Sequence, residues 1–320
     1  MECPDGSPRS RGAIHSGLVD LWIPDRAGRD AIGELPDGVS VRLIPSEGDL
    51  PEPIVAAEFL VPVTTDRRIR ELLPRMSHLR VVQTLSAGVD SLVPLVPEGV
   101  TLCDAAGSRN IPVAEWVLAA ILSSTKGLEE LRDRQREHVW EWRHSAELAG
   151  STVLILGYGA IGRALEERLA PFEVELIRVA RHAHEGVHPV DELGSLIGLA
   201  DVVVVLLPLT PETTGLIDAA MLGRMRPGAL LVNAARGPIV DAVALLELIR
   251  AGHIRAALDV SDPEPLPADH PLWDAPGVFI SPHLAGDTLA ADRRAFALVG
   301  EQVGRYVRAE PLVNIVRDGY

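Results

Sequence analysis

The segment STVLILGYGAIGRALEERLA, residues 151–170, constrains the fold more than any other stretch of the chain. An apolar run, Val153–Leu156, passes directly into Gly157, Gly159 and Gly162, spaced G-x-G-x-x-G, and then into an amphipathic run. A strand that turns sharply into a helix accounts for this order. The first glycine permits the tight turn, the second lets a pyrophosphate approach the backbone, and the third lets the helix pack close to the strand. The helix start offers N–H groups and the positive end of its dipole to an anion. The segment reads as a dinucleotide site, with packing alone as the lesser explanation.

Around this fingerprint, short apolar runs alternate with helical stretches. Val174–Val179, Val202–Leu207, Ala229–Val232, Ala256–Val260 and Val278–Ile280 read as further strands, and Ile161–Leu169 and Ala242–Arg250 as helices between them. Strands alternating with helices of about ten residues imply right-handed crossover units and a doubly wound parallel sheet. An earlier set, Leu18–Ile23, Val39–Ile44, Ala56–Val61, Leu79–Leu85 and Val100–Cys103, reads as a second, smaller parallel α/β unit. A single long helix is expected from Pro112 to about Glu137, buried in its first half and solvated in its second, bridging the two. A last helix is expected from Ala290 to about Arg308, before Pro311. A chain of 320 residues accommodates two such domains.

Composition removes several classes. Acidic residues outnumber basic ones 45 to 30, for a formal charge of −15, which argues against nonspecific nucleic-acid binding. The longest apolar stretches, such as Val202–Leu209, fall far short of the ~18 residues of a membrane span. The first fifteen or so residues are polar, and MECPDGSPRSRG lacks the apolar core of a signal peptide, so no secretion signal and a cytoplasmic location are expected. The two cysteines, Cys3 and Cys103, have no metal-ligand spacing and make no disulfide framework, and no metal site is expected.

The strand after the fingerprint bears on the cofactor. A site for NAD usually carries Asp or Glu about 20 residues past the glycines, to hold the ribose hydroxyls. Here the strand VELIRVA is followed by Arg181 and His182, with no acid. An arginine there can pair with a 2′-phosphate. The reading favours NADP(H), with NAD(H) as the alternative and a solvated strand-end arginine as the bland explanation.

Seven segments, in order, carry a family resemblance: LSAGVD (85–90), VAEWVLAAIL (113–122), LAGSTVLILGYGAIG (148–162), DVVVVLLPLTPETTGLI (201–217), MRPGALLVNAARGPIVD (225–241), AALDVSDPEPLP (256–267) and SPHLAG (281–286). Together they resemble the D-isomer-specific 2-hydroxyacid dehydrogenase family, which includes glyoxylate/hydroxypyruvate reductases and phosphoglycerate dehydrogenases. The resemblance implies a Rossmann cofactor domain, residues 106–286, inserted into a discontinuous flavodoxin-like substrate domain, residues 1–105 and 287–320, with a cleft between. It also implies a homodimer through the region of the long helix.

The resemblance sharpens the chemistry. A guanidinium can bind a carboxylate bidentately and polarise the neighbouring carbonyl of a 2-oxo acid, and Arg236 in NAARGPIVD takes that role by resemblance. Histidine is the side chain suited to proton transfer near neutrality, and His283, in SPHLAG after the last expected strand, lies where open α/β sheets bind ligands. It becomes the acid/base. Glu264, in DPEPLP, matches the family's D-x-x-x-x-E-P pattern and would pair with the imidazole. Formate dehydrogenases of this superfamily use glutamine in that role, so Glu264 argues against formate. By the same match, the backbone of Ser86, Ala87 and Gly88 holds the substrate carboxylate. Cofactor contacts fall to Gly157, Gly159, Ala160, Ile161, Gly162, Arg181, Pro208, Thr213, Ala234, Asp259 (toward the nicotinamide amide) and His283. In some members an aromatic near Trp140 or Trp142 reaches the partner's substrate pocket; core or interface packing is the plainer reading.

The expected activity is hydride transfer between a nicotinamide cofactor and a small 2-oxo acid or D-2-hydroxy acid, of glyoxylate or hydroxypyruvate type. Phosphite dehydrogenase, with the same Arg-Glu-His set, is the competing enzyme. A corepressor-like NAD(H)-sensing binding protein is the alternative from another class. A regulatory domain of the phosphoglycerate dehydrogenase kind is not expected after residue 320.

Overall fold

The computed structural model describes residues 18–317, so the expected polar N-terminal stretch and Cys3 lie outside the described residues. Two compact units form, one from Met1–Ser108 with Asp292–Tyr320, the other from Arg109–Ala291.

The first unit contains β1 (Val19–Ile23), α1 (Arg26–Ile32), β2 (Val39–Leu43), β3 (Phe59–Leu60), α2 (Arg67–Leu72), β4 (Val81–Gln83) and β5 (Thr101–Cys103). Its strands form one parallel sheet in the order β2-β1-β3-β4-β5, the flavodoxin-like winding. Leu21 lies opposite Val41 on one side and Phe59 on the other.

The second unit starts with α3 (Asn110–Lys126) and α4 (Leu128–Arg136). It continues with β6 (Thr152–Leu156), α5 (Ala160–Leu169), β7 (Glu175–Ala180), β8 (His188–Pro189), α6 (Leu193–Leu196) and β9 (Val202–Val205). After these come α7 (Ala219–Arg224), β10 (Leu230–Asn233), α8 (Ala242–Arg250), β11 (Arg255–Leu258) and β12 (Val278–Ile280). The sheet is parallel, in the order β12-β11-β10-β9-β6-β7-β8. Winding reverses between β6 and β9, so the crevice of a doubly wound sheet opens beside the fingerprint. A final helix, α9 (Leu289–Val307), leads back into the first unit.

Both sheets are covered on two faces, which is why their strands are apolar almost throughout. Alternation assigns the faces. In β6, Leu154 and Leu156 join one apolar cluster while Val153 and Ile155 join the other, against Val117 and Ile121 of α3 and Leu165 of α5. In the first unit, Phe59 packs with Phe296, Val299 and Val303 of α9, and Leu60 with Ile69 and Leu73 on the opposite side.

The first unit also buries polar groups. Gln302 of α9 donates through Nε2 to Gln83 Oε1 (3.0 Å) and to the Val313 carbonyl (2.7 Å), and its Oε1 accepts from Val313 N–H (3.0 Å). Gln83 Nε2 in turn donates to the Thr84 and Asp104 carbonyls. The Val316 N–H donates to the Leu102 carbonyl, so the last described residues edge β5. Burial pushes the Cys103 thiol up to about 11, which makes it an inert core group.

The helix expected as one piece over 112–137 is two helices, bent by 64° between α3 and α4. Gly127, at φ 63° and ψ 42°, closes α3 with its N–H on the Ser123 and Ser124 carbonyls. A left-handed residue cannot continue a helix, and glycine adopts that conformation without a Cβ clash. The helix also starts two residues before Pro112, which falls in the first turn, where its missing N–H costs nothing. The strand expected over Ala56–Val61 shrinks to Phe59–Leu60, because Glu52–Ala56 forms a 3₁₀ turn. The short β8 was not expected at all; two residues carry no periodicity. Among the described residues, no single helix is long and apolar enough to cross a membrane.

Candidate active site

The carboxyl ends of the seven-stranded sheet carry the sequence-selected residues of the second unit. Gly157 follows β6, Arg181 follows β7, Pro208 lies beyond β9, Ala234 and Arg236 follow β10, Asp259 follows β11, and His283 lies beyond β12. Ser86, Ala87 and Gly88 belong to the first unit, half-buried beyond β4, where the Ser86 carbonyl accepts from Thr84 Oγ1 at 2.6 Å.

The fingerprint fits a dinucleotide on its own geometry. Gly157 has φ +104°, and a Cβ there would lie 2.6 Å from the backbone carbonyl of Leu206, which cannot yield. A Cβ on Gly162 would sit 3.0 Å from the Gly157 oxygen. A Cβ on Gly159 would meet nothing within 4 Å, so protein packing does not require that glycine, whereas a phosphate close to the backbone would. No side chain caps the start of α5. The N-terminal end with Ala160 and Ile161 therefore keeps its dipole for an anion.

The loop is tethered by residues that sequence reasoning missed. The Tyr158 hydroxyl donates to Glu166 Oε2 of α5, and Arg178 of β7 donates to the same carboxylate through Nε (2.9 Å) and Nη2. The Arg178 guanidinium holds the Glu166 carboxyl below the usual range. Arg178 thus serves the loop, while Arg181, three residues on, is exposed at the strand end. Beyond β9, Thr213 Oγ1 accepts from Thr210 N–H (2.8 Å) and donates to the Pro208 carbonyl (2.7 Å), which closes that turn. Glu212 beside it is held below its usual range mainly by the Thr210 hydroxyl, with the Arg181 charge a smaller cause.

Asn233, the last residue of β10, organises the arginine loop. Its Nδ2 donates to the Arg236 carbonyl (3.0 Å) and its Oδ1 accepts from Ala235 N–H (3.1 Å). A Cβ on Gly237 would lie 2.0 Å from the Ser261 oxygen, so only glycine lets this loop abut the segment that leads to Glu264. A polar residue closing an otherwise apolar strand was the available signal for Asn233.

Glu264 and His283, 19 residues apart, meet with Oε1 and Nδ1 at 2.6 Å. With the carboxylate ionised, the ring N–H donates, which fixes the tautomer and leaves Nε2 for proton transfer. Both side chains are nearly half exposed, Glu264 at 41% and His283 at 46%. An exposed pair contributes little to folding, so its geometry is better explained by chemistry than by stability. Asp259 is buried, and both its oxygens accept bonds from the 281–285 turn. Its carboxylate faces that turn, in addition to the nicotinamide contact expected from its position.

Trp140 and Trp142 lie past α4, 100% and 76% exposed, so neither packs into the core of its own chain. Among the described residues, no cluster of three or more His, Cys, Asp or Glu could hold a metal ion.

The family model for the D-isomer specific 2-hydroxyacid dehydrogenase NAD binding domain matches residues 118–285. The D-3-phosphoglycerate dehydrogenase of Mycobacterium leprae is 34% identical over 300 residues, covering 89% of this chain and 56% of that protein. The chain thus spans little more than half the length of that relative. The glyoxylate reductase of Thermofilum pendens is 32% identical over 283 residues, 83% of either chain. A D-isomer specific 2-hydroxyacid dehydrogenase from Xanthobacter autotrophicus Py2, crystallised with NADPH and MES, superposes with a TM-score of 0.81 at 30% identity, covering 95% of this chain and 100% of that one. With the fold, the fingerprint and the match over more than half its length in agreement, the chain belongs to the D-isomer specific 2-hydroxyacid dehydrogenase family.

Proposed function

We propose that the protein interconverts a small 2-oxo acid and the corresponding D-2-hydroxy acid, of glyoxylate or hydroxypyruvate type, with NADP(H) preferred over NAD(H). The observation that carries this reading is the 2.6 Å Glu264–His283 pair, set beside the arginine loop at the carboxyl edge of the sheet that bears the fingerprint. Arg236 binds the substrate carboxylate and polarises its carbonyl, which a planar fork of donors does better than a point charge. His283 gives a proton to the carbonyl oxygen in reduction and takes it back in oxidation, with Glu264 holding the ring. The nicotinamide, when bound, supplies or accepts the hydride. Gly157, Gly159, Gly162, Ala160 and Ile161 would hold its pyrophosphate, Arg181 a 2′-phosphate, and Pro208, Thr213, Ala234 and Asp259 the remainder.

Two relatives support the finer points by likeness alone: the Thermofilum protein is a glyoxylate reductase, and the Xanthobacter protein was crystallised with NADPH. A homodimer belongs to the same proposal. Leu128, Leu131, Val139, Trp140 and Trp142 form an exposed apolar series along and beyond α4 that a second copy would cover.

The test is a panel of 2-oxo acids, with phosphite included, assayed with NADPH and NADH in parallel on the wild type and Arg181→Asp. The reading expects 2-oxo acid reduction with NADPH, and a variant that loses NADPH use while sparing NADH use. Wild-type preference for NADH would overturn the cofactor assignment. Turnover of phosphite alone would overturn the substrate class.

A further inference from the structure

His283 sits in a backbone conformation that is uncommon outside glycine, although histidine enters it more readily than most residues. Its φ is +54°, in the left-handed region that side chains with a Cβ rarely occupy. In that turn the ring meets Glu264 at 2.6 Å, and contacts from outside the residue hold the turn.

The holding group is the carboxylate of Asp259. Asp259 is only 2% exposed, and a buried carboxylate must find donors. It finds three, on both sides of His283. Ser281 Oγ donates to Oδ1 at 2.5 Å, Leu284 N–H donates to Oδ1 at 2.9 Å, and Ala285 N–H donates to Oδ2 at 2.9 Å. The His283 N–H itself donates to the Asp259 carbonyl at 2.7 Å. One residue at the end of β11 thus fixes the turn beyond β12 at four points. Three of these are main-chain groups that any sequence would provide. The fourth is the Ser281 hydroxyl, buried at 8% exposure and committed to Asp259.

We propose that Ser281 is a positioning residue for the acid/base step: its hydroxyl orients the Asp259 carboxylate so that this carboxylate clamps His283 in the left-handed turn that presents the ring to Glu264. The hydroxyl has a single proton, and spending it on Oδ1 fixes the carboxylate plane for the two N–H groups that follow. Ser281 is a better probe than Asp259, whose substitution would also disturb the nicotinamide contact expected of it. The proposal rests on His283 being the acid/base of the proposed reaction.

The experiment compares wild type, Ser281→Ala, Ser281→Thr and His283→Ala. It measures kcat and KM for 2-oxo acid reduction, cofactor affinity by nicotinamide fluorescence, thermal melting, and the imidazole NMR signal of His283 in the protein without cofactor. In Ser281→Ala, kcat should fall about tenfold while cofactor affinity and KM stay within about twofold, the split expected when an interaction specific to the transition state is loosened. The His283 signal should move or broaden in the same variant. Ser281→Thr, which keeps the hydroxyl, should return kcat toward wild type. Wild-type kcat together with an unmoved His283 signal in Ser281→Ala would overturn the proposal. A parallel loss of kcat, cofactor affinity and melting temperature would also overturn it, by making Ser281 a structural residue only. If His283→Ala itself retains turnover, the acid/base reading fails instead, which keeps the two failures distinct.

Discussion

Both units bury polar side chains near the carboxyl ends of parallel strands, but they spend the hydrogen bonds differently. In the first unit, Gln83 at the end of β4 and Gln302 of α9 bond to each other and to the backbone at Asp104 and Val313. These bonds draw distant stretches of chain onto the sheet. In the second unit, Asn233 bonds to residues two and three positions ahead in its own loop, and Asp259 bonds to the turn that follows the neighbouring strand. Here the outcome is two fixed turns, one bearing Arg236 and the other His283. Burial demands a partner in every case. Whether that demand produces chain closure or a presented side chain depends on where the nearest unpaired backbone lies.

The contrast breaks most visibly at Arg236. Arg236→Lys keeps the charge and loses the fork, so kcat/KM for the 2-oxo acid should fall at least about tenfold, worth ~1.4 kcal/mol, with cofactor affinity little changed. Near-normal kinetics would remove this side chain from the reaction and leave Asn233 with no reacting group to present.

Asn233→Ala should come next. It frees the Ala235 N–H and the Arg236 carbonyl, so KM for the 2-oxo acid should rise roughly threefold to tenfold, alongside a loss of about 1–3 kcal/mol in stability. Urea unfolding read with steady-state kinetics separates the two effects. A loss of stability with unchanged KM would put Asn233 in the same class as Gln302.

The smallest kinetic effect is expected at Gln302. Gln302→Leu leaves Gln83 and Val313 without their buried partner and should cost about 1–3 kcal/mol in urea unfolding. Its kcat/KM should stay within about twofold of wild type, as expected for a site that shares no partner with the reacting groups. A tenfold fall would erase the distinction between the two clusters.

Much of this was legible in the residues. The strand–glycine–helix segment, the second set of apolar runs and the loop motifs around Arg236, Glu264 and His283 are local patterns, readable without knowing the neighbours. The break at Gly127 was readable too, since a glycine after the last periodic turn is a stop signal, but the run of helix formers on both sides masked it. Asn233 left one trace, a polar residue closing an apolar strand, whereas Ser281 and the Tyr158–Glu166–Arg178 tether were not legible as functional supports. Each looks ordinary in its own segment, and its meaning comes from a partner in another residue's loop, strand or helix.

By itself, the sequence determined the class of fold, the position of the fingerprint and the residue types available for hydride-transfer chemistry, because each rests on interactions within a few residues or on strand periodicity. Only the tertiary structure decided which side chains meet. Asp259 and Ser281 are 22 residues apart, and Gln83 and Gln302 are 219. The reason is physical: a hydrogen bond reaches only about 3 Å, so strand order and loop path, not distance along the chain, select the partner.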